Sequence, residues 1–184
     1  MHDQIWNQVV IWALGLLVAL WAGWLDWRFR RIPNWLTVSA FFAGLAINGA
    51  LSGWSGVLSG LEGAGVALAV LILPVIFRGM GAGDLKLMGA LGACLGPRKF
   101  LIVLFVSIFI SGIMSIVAIV RKRRVKKTLS NMMVLLRAFA TFGMGAKETL
   151  VTLDTPDALR LPFGVATAFA MVIVVLAKST LGVF

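Results

Sequence analysis

The sequence predicts an all-α membrane protein, a single domain (residues 1–184) folded as a polytopic bundle of about six transmembrane helices. Three observations predict it. Hydrophobic residues make up 60% of the chain and charged residues only 13%, whereas a soluble domain carries about 25% charged residues. The apolar residues run in long blocks instead of alternating with polar ones, and the mean hydropathy is +1.00, which makes lipid the solvent. The basic residues gather at one side of those blocks, the bias of a multi-pass protein.

The elements follow in order. Ile5–Leu25 is apolar throughout, about 30 Å long as a helix and enough to span. Nothing basic precedes it and arginines follow, so it reads as a retained span and not as a cleaved signal. Asp26 ends it, before Arg28, Arg30, Arg31 and a short connection at Pro33 and Asn34. Trp35–Leu51 makes a second span, Ser52–Ser55 a turn, and Val57–Phe77 a third span, with Pro74 expected as a kink. Arg78–Gly83 is a glycine-rich loop. Asp84–Gly96 is a fourth apolar stretch, only about 20 Å long. A re-entrant reading of it would put the cluster Arg121–Lys127 outside, so it is read as a short true span. Phe100–Val120 and Leu161–Phe184 complete the set. Thr128–Arg160 reads either as a helix lying at the cytosolic interface or as a packed loop cap.

With the N-terminus outside, Arg28, Arg30, Arg31, Arg78, Lys86 and Arg121–Lys127 face the cytosol, and only Arg98, Lys99 and Lys178 lie outside. The net charge of +10 is thereby assigned to anionic headgroups, and no nucleic-acid partner is expected. One cysteine, Cys94, and one histidine, His2, leave no basis for a disulfide or a His/Cys metal site. Gly53-Trp54-Ser55-Gly56 superficially resembles a serine-protease motif. A serine nucleophile needs a base, however, and the lone histidine is at the chain end.

Of the seven acids, two sit at span edges: Asp26 closing the first span and Asp84 opening the fourth. Both fall at the cytosolic face. Each alone reads as an interfacial acid, Asp84 also as a helix N-terminal residue favoured by the dipole. An ionisable residue in such a place is costly unless paired, hydrated or used. Gly81 and Gly83 before Asp84 permit tight backbone geometry and the close approach of a substrate strand. A transporter would need acids along the depth of the bundle, and these two share one face.

Three blocks now carry a resemblance. They are Asp26 with Arg31-Ile32-Pro33-Asn34, Gly81-Ala82-Gly83-Asp84 with Leu85-Lys86-Leu87, and Leu161-Pro162-Phe163-Gly164-Val165-Ala166. In this order they resemble the type IV prepilin peptidases, GxGD-type intramembrane aspartyl proteases. The resemblance implies that Asp26 and Asp84 are the catalytic pair, with Gly81, Gly83, Lys86, Pro33 and Asn34 binding substrate or supporting the loop. It implies no cofactor and no metal. Its substrate would be a pilin-like precursor whose basic leader is cut at the cytosolic face of the bacterial inner membrane. No paired Cys-x-x-Cys motif is present, so the chain resembles the short, peptidase-only branch of Flp/Tad-type systems, and methyl transfer is not expected. The alternative is a non-catalytic membrane component of pilus assembly or secretion that shares the fold.

Overall fold

The computed structural model describes residues 2–76, 80–121 and 162–180, with the side chains of residues 2–4 left aside. They form five helices: α1 (His2–Phe29), α2 (Asn34–Ile76), α3 (Ala82–Leu95), α4 (Pro97–Arg121) and α5 (Phe163–Thr180). Four of these, all but α3, are long and apolar enough to cross a membrane. The expectations for the segment from Lys122 to Arg160 lie outside the described residues, as do Phe77, Arg78 and Gly79.

α2 is a hairpin. Its helical dihedrals break at Gly53 (φ 62°, ψ −147°), a conformation open only to glycine. A Cβ added at Gly56 would strike the carbonyl of Asn48, and one at Gly60 would meet Leu45 Cδ2 at 2.8 Å. Residues so far apart in sequence touch only if the chain doubles back. The expected Gly/Ser turn is therefore present, compressed to a single reversing residue between the arms 34–52 and 54–76. The expected kink at Pro74 is not a break: the dihedrals stay helical through it as far as Ile76, the last described residue of this arm.

α1 also runs further than expected, through Asp26 to Phe29. It stops at Arg30, whose φ of 51° is left-handed and ends the helix while the Arg30 N–H donates to Asp26 O (2.9 Å).

α3 lies in the cradle of the α2 hairpin. Every residue from Leu87 to Leu95 is buried, so this helix meets protein on all sides and needs no length matched to lipid. Its fourteen residues, about 21 Å, are enough to lie inside. Fit is by backbone contact. Gly63 and Gly92 face each other so closely that a Cβ on either would collide with the other's carbonyl, and a Cβ at Gly44 would sit 2.8 Å from Cys94 N. Such small-residue contacts matter because lipid tails remove the hydrophobic drive between helices, leaving van der Waals packing and hydrogen bonds to hold them. The α3 C-terminus is capped from the cradle. Asn48 Nδ2 donates to Ala93 O (3.0 Å) and Cys94 O (2.9 Å), as well as to its own Gly44 O (2.9 Å). Gly92 O accepts from Gly96 N at 2.9 Å. Three of the four terminal carbonyls that a helix leaves open thus have donors.

The bundle has two distinct ends. Asn7 Nδ2 donates to Leu51 O (3.4 Å), so α1 begins beside the hairpin turn. Lys178, near the end of α5, places Nζ 4.9 Å from the Trp12 ring and interacts electrostatically with Lys99 at the start of α4. At the opposite end lie Asp26, the α1–α2 connection and the start of α3, where Lys86 meets Asn34. α3 therefore carries the chain from one end of the bundle toward the other. Exposed tryptophans mark both ends: Trp6 and Trp54 at one, Trp21, Trp24, Trp27 and Trp35 at the other, the belt expected at the two membrane surfaces. Trp6 and Trp24 are about 27 Å apart along α1, close to the thickness of the hydrocarbon core. The faces between the belts expose Leu17, Ile72, Phe105, Phe109 and Ile116, a surface suited to lipid.

Replacing Asn48 with Leu keeps the branched side-chain skeleton and removes the donors from two carbonyls in an apolar interior. The expected cost is about 1–2 kcal/mol, read as a lower denaturation midpoint of the purified protein in detergent; an unchanged midpoint would remove this cap from the account of α3.

Candidate active site

The end of the bundle that holds Asp26 is assembled from four segments. The last turn of α1 supplies Asp26, which is buried (7% exposed) although it is an acid. Its partner comes from the far side of the sequence. The Gly164 N–H, in the first turn of α5, donates to Asp26 Oδ2 at 2.8 Å. The first N–H groups of a helix have no acceptor within it, and the dipole there favours negative charge. A carboxylate is thus a fitting neighbour, and burial of Asp26 is offset by a donor that burial would otherwise orphan.

Asp84 stands in a parallel position on its own helix. Gly81 is the N-cap of α3, in an extended conformation, and its carbonyl accepts from the N–H groups of Asp84 (3.1 Å) and Leu85 (3.3 Å). Asp84 lies in the first turn of α3, half-buried, and its carboxylate folds back over Gly81: a Cβ there would lie 3.1 Å from Asp84 Oδ2. Glycine at 81 leaves that space to the acid. The two carboxylates are near enough to interact electrostatically. Two acids 58 positions apart in sequence are therefore brought to the same end of the bundle, each beside a helix N-terminus.

The remaining residues singled out in the sequence support this arrangement. Lys86 Nζ donates to Asn34 Oδ1 at 2.9 Å across the surface, tying the helix that carries Asp84 to the turn that follows Asp26. Gly83 packs under the same turn, where an added Cβ would stand 3.8 Å from Ile32 Cβ. Pro33 and Asn34 form the α2 start, with Pro33 O accepting from Leu36 N (3.2 Å) and Asn34 O from Thr37 Oγ1 (3.1 Å). Beside Asp26 a cavity of about 340 Å³ is lined by Leu25, Phe29, Arg31, Ile32, Pro33 and Asn34. Neither aspartate lines it. Glu62 is exposed on the second arm of α2, near the opposite end, and Ser55 is engaged in the hairpin turn through Ser52 O (2.8 Å). Among the described residues no three His, Cys, Asp or Glu side chains converge as metal ligands would.

Sequence reasoning marked Gly164 only as part of a block that resembled a family. It did not foresee the hydrogen bond to Asp26, because a backbone N–H has no side-chain signature. The usable signal was Pro162 two residues before the glycine, which starts a helix and so creates free donors.

A family model described as the type IV leader peptidase family matches residues 13–116. That stretch contains Asp26, Pro33, Asn34, Gly81, Gly83, Asp84 and Lys86, and stops short of α5. No curated protein and no solved structure matches the chain.

The tie between Lys86 and Asn34 is exposed and so worth little by itself. A double-mutant cycle with Lys86→Met and Asn34→Ala should give a coupling of about 0.5–1 kcal/mol in unfolding free energy; strict additivity would show that the contact does not join α3 to the turn.

Proposed function

The chain belongs to the type IV leader peptidase family, and on that premise we propose that it is an aspartyl endopeptidase that removes the basic leader from pilin-like precursors, with Asp26 and Asp84 as its catalytic pair. The observation that carries the reading is the meeting of these two carboxylates at one end of the bundle, in reach of each other's charge. Two carboxyls sharing a site cannot both ionise easily, so the pair retains one proton and titrates as a unit.

The chemistry follows from that single proton. The ionised carboxylate takes a proton from water as its oxygen attacks the scissile carbonyl carbon. The protonated carboxyl donates a hydrogen bond to the carbonyl oxygen as charge develops there. The tetrahedral intermediate collapses with cleavage of the C–N bond, and the nitrogen leaves with a proton from the dyad. The products are a carboxylate and a new N-terminal ammonium group, the acid proton having passed to the amine, and one proton again remains on the pair.

The substrate enters extended between the α1–α2 turn and the Gly81–Gly83 segment. The cavity lined by Leu25, Phe29, Ile32 and Pro33 takes an apolar side chain flanking the cut. The aspartates lie level with the tryptophan belt, so the cut falls where the precursor's apolar helix leaves the bilayer. We place this end in the cytosol of a bacterial inner membrane, since Arg28, Arg30, Arg31, Lys86 and Arg121 crowd it and anionic lipid attracts them.

Asp26→Asn and Asp84→Asn should each lower precursor cleavage on the order of 1,000-fold or more in membranes with matched expression. Glu62→Gln should cleave at the normal rate. Near-normal activity in either aspartate variant would refute the dyad.

Sidedness is checked separately by single cysteines in a Cys94→Ala background. A Cys at position 178 should react with an impermeant maleimide in sealed cells, and one at position 121 only after lysis. The reversed pattern would move the site to the other face of the membrane.

A further inference from the structure

We infer that Gly164 is a positioning residue for Asp26: its N–H holds Oδ2 and with it the orientation of the carboxyl group. The inference rests on the catalytic reading of Asp26 given above.

The geometry constrains this contact from three directions. The N–H of Gly164 reaches Oδ2 at 2.8 Å in a place where Asp26 is only 7% exposed, so the contact is largely shielded from solvent. A backbone N–H can only donate, and Oδ2 must therefore accept in every protonation state of the dyad. There is also no space for anything else. A Cβ at position 164 would lie 2.9 Å from Oδ2 and 3.0 Å from Asp26 Cβ. Nor can the helices separate to make room at no cost. Across the same interface a Cβ at Gly23 would lie 2.7 Å from Ala168 Cβ and 3.1 Å from Gly164 O, so α1 and α5 are already in contact through small residues. Any side chain at 164 has to rotate the carboxyl or push α5 away, and either change breaks the hydrogen bond.

A general base acts only within hydrogen-bond reach of the proton it takes, and displacement of a reacting group by about 1 Å can cost about 100-fold. Gly164→Ala should therefore lower kcat for precursor cleavage on the order of 100-fold, with KM changed less than about twofold, because the cavity beside Asp26 is lined by α1 and the α1–α2 turn and not by α5. The comparison variant is Gly15→Ala. It adds a methyl to the same α1 face, against Leu95 Cδ2 and Met171 Cε at 3.0 Å, well away from Asp26, and should keep kcat per folded molecule at the normal value. A kcat for folded Gly164→Ala within about threefold of the unaltered protein, or an equal fall in Gly15→Ala, would overturn the inference.

Should Gly164→Ala not fold, thermal unfolding of Asp26 variants decides. The Asn side-chain oxygen can accept from Gly164 and Ala cannot, so Asp26→Ala should melt about 2–4 °C below Asp26→Asn; equal melting temperatures would overturn the inference. Full activity in Asp26→Asn or Asp84→Asn would instead bring down the catalytic reading itself. Inactive aspartate variants beside a fully active Gly164→Ala would remove only the role given to the glycine.

Discussion

A helix surrounded by protein in a membrane has to find every polar partner within the protein, and α3 is under that constraint. Its C-terminal carbonyls cannot reach water, and the bilayer offers no donor. The α2 hairpin meets the requirement with one side chain, Asn48, and with an approach so close that Gly63 and Gly92 touch backbone to backbone. The consequences reach the other end of the helix. Because α3 is held along the cradle, its N-terminus is fixed relative to the start of α2. Asp84 is thereby presented beside the turn that follows Asp26. The position of one carboxylate is thus set by contacts about 12–15 Å below it.

The other carboxylate is held by a different device. Asp26 is fixed from α5, through a hydrogen bond linking residues 138 positions apart. The two acids are consequently supported by independent parts of the bundle, α3 in its cradle and α1 against α5, and they meet only at the end. Such a site is rigid where each acid is anchored. It is open between the anchors, where the Lys86–Asn34 tie crosses the surface.

Much of this was legible in the sequence for physical reasons. Apolar runs without charge mark helices that face lipid, and the reversal at Gly53 was visible as a Gly/Ser turn. Asp26 and Asp84 stood out because acids are rare in such a chain. Other features were hidden. A Gly/Ala-rich stretch such as 87–95 has the same composition whether it faces lipid or is enclosed, so only the fold reveals the central place of α3. The extra turn of α1 past Asp26 was missed because arginines at a membrane surface read equally well as loop or as helix. The junction of Asp26 with Gly164 was out of reach altogether, since it depends on a main-chain N–H and on which two helices pack side by side.

The depth of the two aspartates has one more consequence. On the proposed function, hydrolysis at this pair consumes a water molecule at every turnover, and a site buried at the bilayer midplane would need a conduit to deliver it. Here Trp24 and Trp27 flank Asp26 in the chain and are exposed at the level of the belt, where headgroups are hydrated. The second reactant is already present at that depth, at the edge of the hydrocarbon, and the bundle can stay tightly closed along the rest of its length.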